Sequence, residues 1–286
     1  MDAVIKIRTK FIMSTIIVAI GILLIAGAIN TDVEAVTPTQ ISDCGSHSSA
    51  DGERLVLTKD IGLNDDCIVI SHDNVTLDCN GFMIDGVSDT GIGVKVMADG
   101  VTVKNCTIRN FSIGINLVNS DGSTITKNTL TLNDLGIDLE SGSDDNTITA
   151  NTSITNDVFG IRIVSSNFNK IARNTLENNL FDGIRISDSD SNMITLNIAT
   201  ANLLVGITLL EGSDSNTIKK NTSNNNGHDG ISVCDECNSN ILTLNTANSN
   251  GRDGFVDTTE PLSNTYKNNM CSQNTDNDSM PSGLCS

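Results

Sequence analysis

The chain has 286 residues, 17 Lys and Arg against 35 Asp and Glu, and a formal charge of −18. No basic cluster interrupts that acidity, so nucleic acid is not an expected partner. With no Trp and a single Tyr266 it also lacks the aromatic platforms on which sugar-binding surfaces usually lean.

Taken in order, residues 1–10 carry Lys6, Arg8 and Lys10, and Phe11–Ile29 is a 19-residue run without charge. This pattern predicts an export signal or an N-terminal membrane anchor over 1–35, with a cleavage site at Val33-Glu34-Ala35. The remainder is then expected outside the cytoplasm, touching a membrane only through an uncleaved anchor. Residues 36–66 hold the apolar stretch Leu55–Leu57, with Ile68–Ile70 just beyond, and are expected to form an entry cap.

Beyond the cap the sequence repeats. Asn128, Asn151, Asn174, Asn197, Asn221, Asn245 and Asn269 stand 23 or 24 residues apart. Two further columns keep the same step: Asn146 to Asn264, with Ser123 before them, and Asn133 to Asn274. A glycine column runs from Gly91 through Gly114, Gly136, Gly160, Gly183, Gly206 and Gly230 to Gly254. A constant period of this length signals a stacked repeat. Apolar residues two apart, as in Ile161/Ile163 and Ile184/Ile186, have strand period, and Thr and Ile dominate the runs. Short strands joined by Asn, Gly and Asp corners predict an all-β, single-domain parallel β-helix over 67–274 with about ten coils of 22–24 residues, closed by a C-terminal cap or tail over 275–286. Identical amides on successive coils can hydrogen-bond into ladders, and Asn tolerates the left-handed backbone of sharp corners. The asparagine columns are therefore read as structural.

All eight cysteines, Cys44, Cys67, Cys79, Cys106, Cys234, Cys237, Cys271 and Cys285, lie beyond the export segment, and an even count outside the cytoplasm suggests disulfides. Coil stacking suggests Cys44–Cys67, Cys79–Cys106 and Cys271–Cys285, with Cys234–Cys237 pairing across a turn. The competing reading of Cys234-Asp235-Glu236-Cys237 is a redox or metal site, but no second half of a zinc site is present.

The units N-T-I-T-A-N-T, N-T-I-K-K-N-T and D-G-I-R-I resemble the right-handed β-helix repeats of the NosD-type and pectin-lyase-like superfamily, over roughly Asp43 to Asn274. The resemblance implies right-handedness. It implies no single activity, because the fold hosts lyases, hydrolases, epimerases, tailspikes and accessory proteins. The NosD name is associated with copper delivery, but His47, His72 and His228 lie in distant coils and no Cys, Met or His cluster is visible. No metal and no cofactor are expected.

In this superfamily activity lies on an exposed sheet face. The residue between the two Ile of Gly-Ile-x-Ile points outward, giving the column Asn116, Asp138, Arg162, Arg185, Thr208 and Ser232. Asp138, Glu140, Arg162 and Arg185 are expected to form one patch, able to abstract a proton beside a uronate or merely to pair as surface ions. Asp182, Asp229 and Asp253 precede the repeat glycine and are read as turn residues. The Asp-Pro-His motif of alginate epimerases is missing, and Gly227-His228-Asp229-Gly230 departs from the Gly-His-Gly of polygalacturonases. The favoured reading is an exported, non-catalytic rod at the cell surface or secreted, with an extracellular glycan or surface protein as partner. The alternative is a lyase-like enzyme acting on acidic glycans.

Overall fold

The computed structural model describes residues 37–63, 65–87 and 89–286. The expected export segment lies outside them. Among the described residues there are only strands, and they wind as a right-handed parallel β-helix of about ten turns. Each coil contributes short strands to three sheets. The first has eleven strands, from Thr39–Ile41 to Thr265–Lys267, and the second has ten, from Ile68–Ile70 to Asn277–Met280. The third has six, from Met83–Asp85 to Ile198–Thr200, and single bridges at Thr222 carry it on to Thr246–Asn248 and Met270–Ser272.

The register explains the repeat. Ile125, Ile148, Ile171, Ile194 and Ile218 stand opposite one another in the first sheet, so like stacks on like. These side chains face inward and are fully buried, as are Ile161, Ile184 and Ile207 of the second sheet. With a strand separation of about 4.8 Å, each coil covers the apolar ring of the next.

The buried asparagines tie coils together. Asn151 donates its backbone N–H to Asn174 Oδ1 at 2.9 Å, and its Nδ2 reaches back to Ile125 O at 2.9 Å and forward to Asn174 Oδ1 at 3.1 Å. Asn174 repeats the pattern toward Asn197. One amide thus joins three coils and satisfies polar groups that no water reaches. The left-handed corner is not where the sequence reading put it. The ladder residues have ordinary φ, and the residue before each takes the strained conformation: Lys127, Ala150, Arg173, Leu196, Lys220 and Leu244 have φ between 56° and 59°. The amide is needed for its hydrogen bonds, so the left-handed position is free to take almost any residue.

A further ladder was not read from the sequence. At the corner two residues before the column of Ser123 and Asn146 to Asn264, and at its counterparts on the earlier coils, backbone N–H groups donate to the side-chain oxygen one coil earlier, through Asp51, Asp73, Asp99, Asp121, Asp144, Asn167, Asp190, Asp214 and Asn238. Most of these residues are solvent-exposed, so seven of the 35 acidic residues form a regular ridge.

The glycine column also needs a correction. Ile92 pairs with Ile113 and Val94 with Ile115, so Gly93 and not Gly91 stands in register with Gly114. These glycines are not required for φ. A Cβ on Gly183 would sit 2.7 Å from Gly206 O and 2.8 Å from Asn202 Nδ2, and one on Gly136 would strike Ser153 Oγ. The missing side chain lets the second sheet bend inward against the third.

Four disulfides are present. Cys44–Cys67 and Cys79–Cys106 bridge adjacent coils, with Cα separations of 4.5 and 4.8 Å. Cys234–Cys237 closes a local turn, and Cys271–Cys285 draws the last residues across the final coil. Leu284, 4% exposed, covers the core there.

Candidate functional site

The outer face of the second sheet carries the side chains that the sequence singles out. Register aligns Lys95, Asn116, Asp138, Arg162, Arg185, Thr208 and Ser232 in one outward column. Asp138, Glu140 and Arg162 do come together. Arg162 forks onto Asp138, Nε to Oδ1 at 2.8 Å and Nη2 to Oδ2 at 2.6 Å, with Glu140 Oε2 at 3.8 Å from Nη2. Asn116 Nδ2 closes the cluster at 3.3 Å from both Asp138 Oδ2 and Glu140 Oε1. Covered in this way, Asp138 is 0% exposed although it stands on the outer face. Burial pushes its pKa above the usual carboxylate range, while the Arg162 fork pulls the other way.

Arg185 does not join this cluster. Its backbone stands opposite Arg162, and like charges repel, so its guanidinium turns back along its own strand. Nη1 lies 3.8 Å from Asp182 Oδ2, and the guanidinium carbon sits 5.0 Å over the Phe159 ring. It makes no hydrogen bond to a described residue. Phe181 meets Phe159 edge-on at 6.0 Å between centroids and remains 42% exposed.

Asp182 lies in the bend just before the strand Ile184–Ser187 and is buried on this face. Its Oδ1 accepts the Val205 N–H at 3.1 Å. Burial raises its pKa, opposed by that N–H, by Arg185 and by the neighbouring Thr208 hydroxyl. The Thr208 hydroxyl lies close enough to be felt, yet Oγ1 is buried and closes no hydrogen bond. Asp229 repeats the pattern two coils on, beyond Val205, accepting the Asp253 N–H at 3.1 Å, and burial raises its pKa too.

A model of the right-handed β-helix region matches residues 41–199. The chain belongs to the right-handed β-helix family. A model of the periplasmic copper-binding protein NosD matches residues 150–282 of the β-helix. No curated protein matches the chain. Among solved structures, a mutant of the periplasmic alginate epimerase AlgG superposes with a TM-score of 0.64 at 19% identity, covering 78% of this chain and 61% of that one. The A-module of the Azotobacter vinelandii mannuronan C-5 epimerase AlgE4 gives 0.60 at 13% identity, covering 83% and 87%. The Dettilon tailspike protein gives 0.60 at 15%, covering 82% and 54%. At such identities the likeness is one of fold. The β-helix chain spans about 61% of the length of that first epimerase structure.

Within this β-helix, no group of three or more His, Cys, Asp or Glu is placed to hold a metal among the described residues. The Cys234–Cys237 thiols are joined to each other. Phe159 and Asp182, just before the glycine, and Phe181, two residues before it, were not read as site residues, because that column was taken for turns. Pairing that column with the Gly-Ile-x-Ile column is the sequence signal that would have found them.

Proposed function

We propose that the chain is an exported, non-catalytic β-helix rod, at the cell surface or secreted, that binds an extracellular glycan on the outer face of its second sheet. The observation that carries the non-catalytic reading is the state of Asp138. A general base must touch the proton it removes. Asp138 has both oxygens committed to Arg162 and Asn116 and no exposed surface. Four disulfides fit an oxidising compartment outside the cytoplasm. The glycan is supported by analogy of fold with the alginate and mannuronan epimerases, whose sheet architecture the chain shares.

The alternative is a lyase-like enzyme on acidic glycans, favoured by the partly exposed Arg162 and Arg185. Both readings are tested by incubating the purified protein with a panel of acidic polysaccharides, with and without calcium, and assaying unsaturated and reducing ends. The expected result is no product. Product that disappears in Arg162→Ala and Arg185→Ala would overturn the non-catalytic reading.

A further inference from the structure

We infer that Phe181, Arg185, Asp182 and Thr208 form a subsite for a neutral pyranose unit of a polysaccharide, not for a uronate. This rests on the glycan-binding reading above and specifies its chemistry. Four observations converge.

Arg185 is the first. Its side chain is 32% exposed, and among the described residues it rests on Phe159 and lies 3.8 Å from Asp182. Among the described residues its guanidinium donors find no hydrogen-bond acceptor, in contrast to Arg162, whose Nε and Nη2 fork onto Asp138. The second is Thr208, directly opposite Arg185 in the neighbouring strand. Among the described residues its buried Oγ1 closes no hydrogen bond, and it lies against the Asp182 carboxyl, whose pKa it lowers. The third is Phe181, whose exposed ring extends the Phe159 surface that Arg185 covers. An exposed aromatic ring beside a polar fork matches the two sides of a pyranose, one apolar with C–H groups and one rimmed by hydroxyls.

The fourth is charge. A uronate needs a net positive site. Here Asp182 offsets Arg185, and beyond Val205 the same column carries Asp229 and Asp253. The chain as a whole carries −18. Such a field repels a polyanion during approach. An Arg beside a carboxylate instead offers donors and an acceptor together, the pattern that adjacent sugar hydroxyls present.

The test is calorimetric titration of the purified protein with cellohexaose, mannohexaose and xylohexaose, and with hexamers of mannuronate and galacturonate. At least one neutral hexaose is expected to bind, and the uronates are not. Arg185→Met and Phe181→Ala are each expected to weaken binding about tenfold or more, and Thr208→Val less. Lys219→Ala, exposed on the outer face of the first sheet, is expected to leave it unchanged. Unaltered circular dichroism and melting of each variant exclude misfolding as the cause. Uronate binding in place of neutral binding would overturn this inference and leave the glycan-binding rod standing. Neutral binding indifferent to both Arg185→Met and Phe181→Ala would place the sugar elsewhere and overturn the subsite. No binding to any oligosaccharide would remove both.

Discussion

Replacing Asn174 by Ala measures what the amide ladder contributes. Asn174 Oδ1 accepts the Asn151 N–H at 2.9 Å and Asn151 Nδ2 at 3.1 Å, and its own Nδ2 donates to Ile148 O at 2.9 Å and Asn197 Oδ1 at 3.1 Å. The substitution would leave two buried donors on Asn151 without that acceptor, the backbone N–H and one amide proton. At about 1–3 kcal/mol for each orphaned buried group, the loss is about 2–6 kcal/mol. Urea unfolding followed by circular dichroism reads it directly, with Thr175→Ala on the outer face of the third sheet as a control. Asn174→Asp adds a signed pH test. Its carboxylate would face Asn197 Oδ1, which raises the folded pKa, so its stability should be retained below the unfolded pKa and lost as pH rises through the folded one. An Asn174→Ala loss below about 1 kcal/mol would refute the reasoning, because the buried N–H would then have found water or another partner.

Other outcomes follow from the same geometry. Gly183→Ala should cost about 1–3 kcal/mol, because its Cβ would press on the Gly206 carbonyl; a thermal melt beside Gly142→Ala, whose Cβ would meet nothing, separates crowding from backbone strain. Leu244→Asn should raise stability by about 0.5–1 kcal/mol in urea, since Leu244 is 43% exposed at a φ of 58°. Arg162→Met should cost about 3–5 kcal/mol at neutral pH by leaving the Asp138 carboxylate buried and unpaired. Burial already raises the folded pKa of Asp138, so this loss should shrink as pH falls below that pKa and grow as pH rises through it; melting temperatures at about pH 4 and about pH 7 check the sign.

The β-helix and its asparagine ladders were legible because each column repeats one residue type at one interval, and stacking like on like is a property of the sequence itself. The aspartate ridge was not, since Asn167 and Asn238 interrupt it and isolated Asp residues in corners read as solvated turns. The first glycine was misassigned because Gly91-Ile92-Gly93 offers two candidates and only strand register chooses between them. The outer patch was half legible. Register places Asp138, Arg162 and Arg185 side by side, but it fixes backbone neighbours and not rotamers. Two adjacent guanidinium groups cannot share one carboxylate fork without repulsion, so Arg185 turned toward Asp182 and Phe159.

Each ladder asparagine recognises only the coil before it and the coil after it, and every interior coil presents the same pair of surfaces. Nothing in that arrangement counts. Number enters only at the extremities, where Leu284 and the Cys271–Cys285 bridge close one end. Duplicating one 23-residue period, such as Asn151 to Arg173, leaves every ladder contact intact. The molecule is thus a ruler whose reach can be reset by whole periods, each adding about 4.8 Å, without redesign of any interior residue.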